Sequence, residues 1–223
     1  MIVGCAPSQD EFYAALVREA RTVPEIWRQV ELFHMDDYIG LAETDPRSFR
    51  AYLRKHFLDH VAVAAVHLMQ GDSPDAEAEA LRYAALVQAA PINLVCLGFG
   101  ENGHLAFNDP PVADFNDPVA VKIVVMDAVC RQQQVNDGCF PTYDSVPERA
   151  LTITLPVFAG ADMLCGVVPT YRKAEAVRDA LMGPVGEACP ASLVRLHPRA
   201  HIFLDGAASS LLPPDYPLTR FSP

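Results

Sequence analysis

Short apolar runs alternate with segments of helical periodicity along the sequence, and this alternation restricts the chain to few folds. The apolar runs predict strands at Ile2–Cys5, Val30–His34, Ala62–His67, Ile92–Gly98, Val119–Val125, Leu151–Thr154, Met163–Val168 and His201–Asp205. The periodic segments predict helices at Asp10–Ala20, Ser48–Phe57, Asp75–Gln88, Thr170–Met182 and Pro190–Leu196. Repeated strand–helix units are typical of parallel sheets covered by helices on both faces. The pattern therefore predicts an α/β fold with a mainly parallel sheet flanked by helices.

Length and charge restrict the function. The chain has 223 residues, of which 51% are hydrophobic, and this is enough to bury a sizeable core in one domain. Its formal net charge of −11 repels the phosphate backbone of nucleic acids and anionic lipid surfaces. We therefore expect a single domain over residues 1–223 with no nucleic-acid partner. A small anionic ligand held by a few local cations is compatible with this charge, because distant charges are screened.

The cysteines and the absence of long apolar segments indicate a cytoplasmic protein. The six cysteines are scattered, with no CxxC pair and no zinc-ribbon spacing. Cys5, Cys96 and Cys165 fall within candidate strands, which favours buried, reduced thiols. No signal-peptide pattern is present, and the apolar stretch 61–69 is much shorter than the ~20 residues of a membrane span. We expect no membrane partner.

The loop after the candidate strand Ile92–Gly98 has the spacing of a dinucleotide-binding loop. Gly98, Gly100 and Gly103 form a GxGxxG pattern, which in such proteins opens a helix that holds pyrophosphate. Here Pro110-Pro111 follows within a few residues and leaves no room for that helix. A dinucleotide site, a plain tight turn and a loop for a different ligand are the three interpretations, and the proline pair favours the last.

Two loops that follow candidate strands carry side chains suited to acid–base chemistry. His104 and Asp109 share the glycine-containing loop, where the carboxylate can hold the imidazole tautomer and stabilise its cation. Asp36 and Asp37 follow the strand Val30–His34, and one of them suits a general base whose pKa its neighbour's charge raises. Both loops leave the carboxyl ends of strands, so we expect them to face one crevice. A solvated histidine and a simple polar turn are the alternative interpretations.

A set of motifs occurs in a fixed order over nearly the whole chain. They are Phe33-His34-Met35-Asp36-Asp37-Tyr38-Ile39-Gly40 with Ser48-Phe49, Gly98-Phe99-Gly100-Glu101-Asn102-Gly103-His104-Leu105-Ala106-Phe107-Asn108-Asp109-Pro110, Val146-Pro147 with Ala150-Leu151-Thr152, Arg172-Lys173-Ala174, and Ala191-Ser192-Leu193 with Leu196-His197. This ordered set resembles the glucosamine-6-phosphate deaminase (isomerase) family. The resemblance implies a Rossmann-like three-layer sandwich. The match begins at the family's second strand, so we expect the family's first strand and helix to be absent.

The resemblance also implies a reaction. Members of this family convert a 2-amino-2-deoxy sugar phosphate and water to a ketose phosphate and ammonia, without a metal or an organic cofactor. We expect glucosamine-6-phosphate or a close epimer as the substrate. His104 matches the residue that shuttles a proton during ring opening, and Asp36 matches the base that moves the C2 proton to C1. Asn102 and Asp109 match the residues that support the histidine.

Asn102 and Asp109 both depart from the family's pattern. Asn102 stands where the family has an aspartate, and Asp109 stands where it has the longer glutamate. A neutral amide cannot stabilise an imidazolium as a carboxylate does, so we expect Asp109 or Glu101 to supply the charge.

The substrate-binding residues that the resemblance implies are Ser8, Asp37, Gly100, Gly103, Arg131 and Lys173. The loop 4–9 departs most from the family, because Pro7 has no N–H group for a phosphate and a flexible glycine is missing. Ser8, Lys173 and Arg131 are left to hold the phosphate. Arg131 matches the family's arginine-bearing segment poorly, and an ordinary loop arginine is the alternative. The expected partner is a small sugar phosphate, and a homo-oligomer is compatible with the sequence.

Two other functions suit the same fold. A 6-phosphogluconolactonase is one, although its relatives follow the histidine with a Ser-Leu-Phe-Pro-like stretch that residues 105–109 do not match. A non-catalytic sugar-phosphate sensor or a decayed enzyme is the other, and the altered loop 4–9 favours it. Sensors of this fold in transcription regulators carry a basic DNA-binding segment, which this acidic chain lacks.

Overall fold

Residues 1–219, which the computed structural model describes, form two sheets and the helices that cover them. The strands are β1 (Ile2–Val3), β2 (Glu31–His34), β3 (Asp36–Tyr38), β4 (Ala65–His67), β5 (Val95–Leu97), β6 (Val121–Val125), β7 (Arg149–Ile153), β8 (Leu164–Val168) and β9 (Ala200–Leu204). Six of them form a parallel sheet in the order β4-β2-β1-β5-β8-β9. The predicted α/β class with a mainly parallel sheet is therefore confirmed.

The other three strands form a smaller antiparallel sheet in the order β3-β7-β6. Apolar runs in the sequence correctly predict strands near β6 and β7, but the polar segment of β3 is predicted as a loop. The residues Asp36, Asp37 and Tyr38 explain this error, because aspartates are depleted in strands. Pairing with β7 overrides that preference: Asp36 lies opposite Thr152 in the ladder.

Helices flank the sheets. The α-helices of residues 1–219 are α1 (Asp10–Ala20), α2 (Pro24–Trp27), α3 (Phe49–Leu53), α4 (Ala76–Val87), α5 (Ala128–Asn136), α6 (Leu155–Ala159) and α7 (Ala174–Met182). One π-helical turn over Arg54–Leu58 extends α3, and Pro190–Arg195 forms a 3₁₀ helix where an α-helix is expected. None of these helices has the length and apolar character needed to span a membrane.

The core lies on both faces of the parallel sheet, because successive residues of a strand point to opposite sides. Ile2 and Leu97 pack on one face, towards the smaller sheet, α4 and α7. Val3 and Cys96 pack on the other face with the aromatic ring of Tyr13 in α1. All of these side chains are at most 5% exposed. The result is the three-layer arrangement that the resemblance implies.

A buried ion pair joins β3 to α3. The Arg50 guanidinium, whose side chain is 2% exposed, donates from Nε to Asp37 Oδ2 over 2.8 Å. Its other nitrogens donate to Asp72 Oδ1 over 2.7 Å and to the carbonyl oxygen of Leu41 over 2.6 Å. Asp37 Oδ1 accepts from the backbone N–H of Phe49 over 3.1 Å. This network satisfies two buried charges and fixes the smaller sheet against α3.

Replacing Arg50 by methionine should destabilise the protein strongly. The Arg50→Met variant leaves the Asp37 carboxylate buried without its cation, which typically costs about 3–5 kcal/mol. The matched control is Arg28→Met, since Arg28 forms an exposed pair with Glu25 over 2.8 Å and such pairs contribute about 0–1 kcal/mol. Urea denaturation measures both free energies of unfolding. An Arg50→Met loss no larger than the control's would show that the pair is not structural.

Candidate active site

A cavity lies at the carboxyl ends of β1, β2 and β5. The chain runs from β1 outward to β2 and β4 and then returns to the other side of β1 with β5. This reversal is the point where open α/β sheets bind ligands. The described residues that line the cavity are Gly4, Cys5, Ala6, Ser8, Gln9, Met35, Asp36, Phe49, Gly98, Phe99, Gly100, His104, Ala106, Phe107, Gln133, Gln134 and Lys173.

His104 is held by two oxygen acceptors. Asn102 Oδ1 accepts from the backbone N–H of His104 over 3.1 Å and lies 2.8 Å from its Nδ1. Asp109 Oδ1 lies 2.9 Å from the same Nδ1 and accepts from Asn102 Nδ2 over 2.9 Å. Because only acceptors face Nδ1, this nitrogen carries the proton, and Nε2 is left as the basic atom of the neutral ring.

Asp109 supplies the negative charge next to His104. Burial alone raises the pKa of Asp109, but the His104 imidazolium and the hydrogen bonds from His104 and Asn102 outweigh burial and lower that pKa. The carboxylate thus stays ionised and can stabilise the imidazolium. Glu101, the alternative in the sequence analysis, makes no hydrogen bond to His104 within residues 1–219; its backbone N–H donates to Gln133 Oε1 over 2.9 Å.

The glycines of the loop make room for the imidazole. A Cβ atom on Gly100 would lie 2.2–2.3 Å from three atoms of the His104 ring, so no side chain fits there. Gly103 has a φ of +78°, and a Cβ on it would lie 2.6 Å from Cys189 Sγ. Gly100 lines the cavity, whereas Gly103 is absent from its described lining. No helix follows within residues 98–120, so the dinucleotide interpretation of this loop is wrong.

Asp36 is a buried carboxyl group that also lines the cavity. The residue is 6% exposed, and its Oδ1 has no hydrogen-bond partner in the described part of the chain. Burial raises the pKa of Asp36 well above its usual range, and the charge of Asp37 adds to this effect. A carboxylate in such surroundings is a stronger base than an exposed one.

Asp37 and Arg131 were expected to bind the substrate, and the structure places both outside the cavity lining. Asp37 faces Arg50 in the buried ion pair. Arg131 is in α5, not in a loop, and its NH2 donates to the carbonyl oxygens of Tyr143 and Val146 over 3.1 and 2.9 Å. Its guanidinium also stacks on the Tyr143 ring, 4.2 Å from the centroid. These contacts give both side chains a structural role.

Ser8, in the turn before α1, and Lys173, in the turn before α7, both line the cavity. Lys173 is 4% exposed and forms no ion pair with any residue of 1–219, although Asp137 and Glu101 lie near enough to act on it electrostatically. Burial lowers the pKa of Lys173, and those two acidic groups oppose the effect. A buried ammonium group without a paired carboxylate favours an anionic ligand.

Three glutamines that no sequence motif identifies also line the cavity. Gln9 Nε2 donates to the carbonyl oxygen of Val167 over 2.9 Å, and Gln134 Oε1 accepts from the Tyr38 hydroxyl over 2.6 Å. Gln133 completes the set. Gln133 and Gln134 belong to α5, which has too few apolar residues for a helical pattern. The Asp127 side chain that caps this helix is the one signal of its start.

One group of described side chains has ligand atoms close enough to share a metal ion. Atoms of His104, Asp109 and Cys130 lie within 4.8 Å of one another, and all three residues are buried. The His104 and Asp109 atoms already contact each other and Asn102. We assign no step to a metal here.

Comparison with known proteins identifies the family. The family of glucosamine-6-phosphate isomerases and 6-phosphogluconolactonase matches residues 7–203, and the chain belongs to it. A glucosamine-6-phosphate deaminase of Exiguobacterium sp. strain AT1b is 36% identical over 177 residues, which cover 79% of this chain and 68% of the relative. One of Listeria monocytogenes serovar 1/2a is 32% identical over 185 residues, covering 83% and 77%.

Solved structures agree with this assignment. A structure described as a monomeric glucosamine-6-phosphate deaminase is 30% identical, with a TM-score of 0.85 and coverage of 94% of this chain and 87% of that one. A 6-phosphogluconolactonase from Leishmania guyanensis has a TM-score of 0.72 at 17% identity, covering 95% and 86%. At that identity the second likeness shows a shared fold only.

Replacing Asp36 by asparagine should stabilise the protein at neutral pH. The raised pKa means that the folded state binds this proton more tightly than the unfolded chain, so stability falls as pH rises from the unfolded value of about 3.8. Asp36→Asn removes this loss, and the gain should grow by up to about 1.4 kcal/mol per pH unit until the folded pKa is passed.

Urea denaturation of both proteins between pH 4 and 8 measures the difference. The control is Asp45→Asn, because a hydrogen bond to Arg47 lowers the pKa of Asp45 to about 2 and its replacement should bring no gain. Equal stability of wild type and Asp36→Asn at every pH would show that water solvates the Asp36 carboxylate.

Proposed function

We propose that the protein converts glucosamine-6-phosphate, or a close epimer, and water to a ketose 6-phosphate and ammonia. One observation carries this proposal: a single cavity holds an unpaired buried carboxyl group, Asp36, a histidine with its basic nitrogen free, His104, and a buried ammonium group, Lys173. The named relatives at 36% and 32% identity catalyse this deamination according to their names.

Ring opening is the step assigned to His104. The hexose must lose a proton from its anomeric hydroxyl and gain one on the ring oxygen. Neutral His104 can accept the first proton on Nε2 and return it to the ring oxygen, while Asp109 stabilises the intervening imidazolium. Asn102 holds His104 with its amide oxygen and Asp109 with its amide nitrogen. The histidine needs no net change of protonation over this step.

Proton transfer between C2 and C1 is the step assigned to Asp36. The open-chain aldehyde makes the C2 proton acidic, and the Asp36 carboxylate removes it to leave an enolamine anion with its charge on O1. The same carboxyl group then gives the proton to C1, and one proton of the nitrogen moves to O1, which produces a ketimine at C2. Water adds to the ketimine carbon, and ammonia leaves to give the ketose phosphate. The buried setting raises the basicity of Asp36 and so favours the first transfer.

The phosphate is assigned to Lys173 and Ser8 in the cavity lining. The Lys173 ammonium supplies charge, and the Ser8 hydroxyl supplies a hydrogen bond. Ser8 and Gln9 also precede the first turn of α1, where backbone N–H groups attract anions. We further propose a cytoplasmic location, because the six cysteines are free thiols. A homo-oligomer stays a prediction.

Ammonia release with glucosamine-6-phosphate tests this proposal. The wild type should release ammonia from the phosphorylated sugar and far less from glucosamine. When the reaction runs in D₂O, deuterium should enter C1 of the product. Asp36→Asn should lower turnover by at least a thousandfold and abolish the deuterium incorporation, because an amide cannot take the C2 proton.

Binding measured by calorimetry separates the remaining functions. Tight binding of the sugar phosphate by wild type without ammonia release would support the sensor or decayed enzyme. Hydrolysis of 6-phosphogluconolactone would support the lactonase. Near-normal turnover of Asp36→Asn would remove Asp36 as the base but leave the reaction standing.

The charge next to His104 should come from Asp109 and not from position 102. Asp109→Asn removes the charged partner of the imidazolium, so turnover should fall by about 10²–10⁴-fold, the usual contribution of acid–base catalysis. Asn102→Asp keeps an oxygen acceptor near Nδ1 but loses the amide donor to Asp109. Because a carboxylate still faces the imidazolium in this variant, its turnover should fall much less than that of Asp109→Asn. Rate measurements from pH 5 to 9 on all three proteins give the comparison.

The NMR signal of the His104 Nδ1–H proton provides a second measurement that does not depend on turnover. This signal should shift in Asp109→Asn, because the proton loses its carboxylate acceptor. An unchanged signal in Asp109→Asn would contradict the partnership of His104 with Asp109.

A further inference from the structure

Two cysteines lie directly opposite each other on neighbouring parallel strands. Cys96 of β5 is the register partner of Cys165 of β8, so both side chains project from the same face of the sheet. Neighbouring strands lie about 4.7–4.9 Å apart, within the ~4.4–6.8 Å range of Cα separations in disulfides. Both residues belong to the apolar cluster on the α1 side of the sheet. A bond between the two sulfurs therefore requires only a small local movement.

The two thiols differ in access to solvent. Cys96 is 5% exposed, whereas Cys165 is half-buried at the border of the cluster. On the neighbouring strand β9, His201 is the register partner of Cys165 and is exposed. The side of Cys165 that faces β9 is therefore close to solvent. A hydrogen bond from Cys96 lowers the pKa of Cys165 to about 7, against the effect of burial. The accessible sulfur is thus also the better nucleophile at neutral pH.

We propose that Cys165 and Cys96 form a reversible, peroxide-responsive disulfide, a modification site separate from the catalytic cavity. The Cys165 thiolate attacks one oxygen of a hydroperoxide, the O–O bond breaks, and Cys165 becomes a sulfenic acid while hydroxide or alkoxide leaves. The Cys96 sulfur then attacks the Cys165 sulfur. The S–S bond forms, the S–O bond breaks, and the departing hydroxide takes the Cys96 proton as water. The peroxide is thereby reduced and the two thiols are oxidised.

The disulfide is expected to be readily reduced. The Cβ atoms of a disulfide lie about 3.5–4.5 Å apart, slightly closer than the spacing of neighbouring strands, so the bond draws β5 and β8 together. Strained disulfides have higher reduction potentials than relaxed ones. A dithiol reductant should therefore restore the thiols.

Both cysteines are close in sequence to the cavity. Two residues after Cys96, Gly98 begins the loop that carries His104. Two residues after Cys165, the carbonyl oxygen of Val167 accepts a hydrogen bond from Gln9 over 2.9 Å. A shift of the end of β5 would therefore move the His104 loop, and a shift of the end of β8 would move Gln9, which lines the cavity. Oxidation should for this reason lower the activity.

Peptide mapping after peroxide treatment tests the proposal without reference to catalysis. The wild-type protein is treated with hydrogen peroxide, its remaining thiols are alkylated, and it is digested without reductant. The expected result is a linked pair of peptides that contain Cys96 and Cys165, with the loss of two hydrogens. Dithiothreitol should abolish the link. Absence of this pair, with Cys165 either unmodified or oxidised alone to a sulfinic acid, would overturn the proposal.

Three variants test the order of the steps and the effect on function. Cys165→Ser should give no link, and Cys96→Ser should accumulate a sulfenic acid on Cys165 that dimedone traps. Cys139→Ser is the matched control, because Cys139 is also half-buried but has no cysteine register partner, and this variant should form the link normally. Ammonia release should fall at least threefold on oxidation of wild type and Cys139→Ser only. A link that forms without any change in ammonia release would retain the modification site but remove its effect on activity.

Discussion

The cost of burying the Asp36 carboxyl group is the constraint on which the site depends. Removing an ionised carboxylate from water is unfavourable, and a second carboxylate beside it makes this worse. The extended backbone of β3 separates the two, because neighbouring residues of a strand face opposite ways. Asp36 faces the cavity, and Asp37 faces Arg50, which neutralises it. The ion pair inside the fold thus makes it possible to keep an unpaired carboxyl group in the cavity.

Most of the fold and part of the site can be predicted from the sequence. Apolar runs such as Ile92–Gly98 identify all six strands of the parallel sheet. The inner strands, such as β5, are the clearest, because strands buried on both faces need continuous apolar sequence. The segments β3 and α5 escape detection for the opposite reason: their residues are polar, and tertiary pairing or a single capping aspartate fixes their structure. Tertiary contacts that the local sequence does not reveal also determine where Asp37 and Arg131 point. Their residue types suit a substrate, but their partners Arg50 and Tyr143 are distant enough in sequence that no local pattern reveals them.

The loop with His104 shows how one changed residue can be absorbed by its neighbours. The family resemblance implies an aspartate at position 102, where this chain has a neutral amide. Asn102 keeps a hydrogen bond to the imidazole with its oxygen and uses its nitrogen to bind Asp109. An aspartate has no such nitrogen, so the amide can bring the remaining carboxylate against the ring. The shorter side chain of Asp109 is then positioned by a donor that the family's aspartate does not offer.

The backbone of Met35 connects the two sheets. Its N–H donates to the carbonyl oxygen of Val3 in the parallel sheet over 3.1 Å, and its carbonyl oxygen accepts from Ile153 in the smaller sheet over 2.9 Å. The next residue is Asp36, whereas His104 is on a loop of the parallel sheet. The distance between the proposed base and the proposed proton shuttle therefore depends on how the two sheets pack through their shared apolar cluster. A change in the volume of a core residue such as Leu151, which belongs to that cluster, should therefore shift Asp36 relative to His104 without replacing either reactive group.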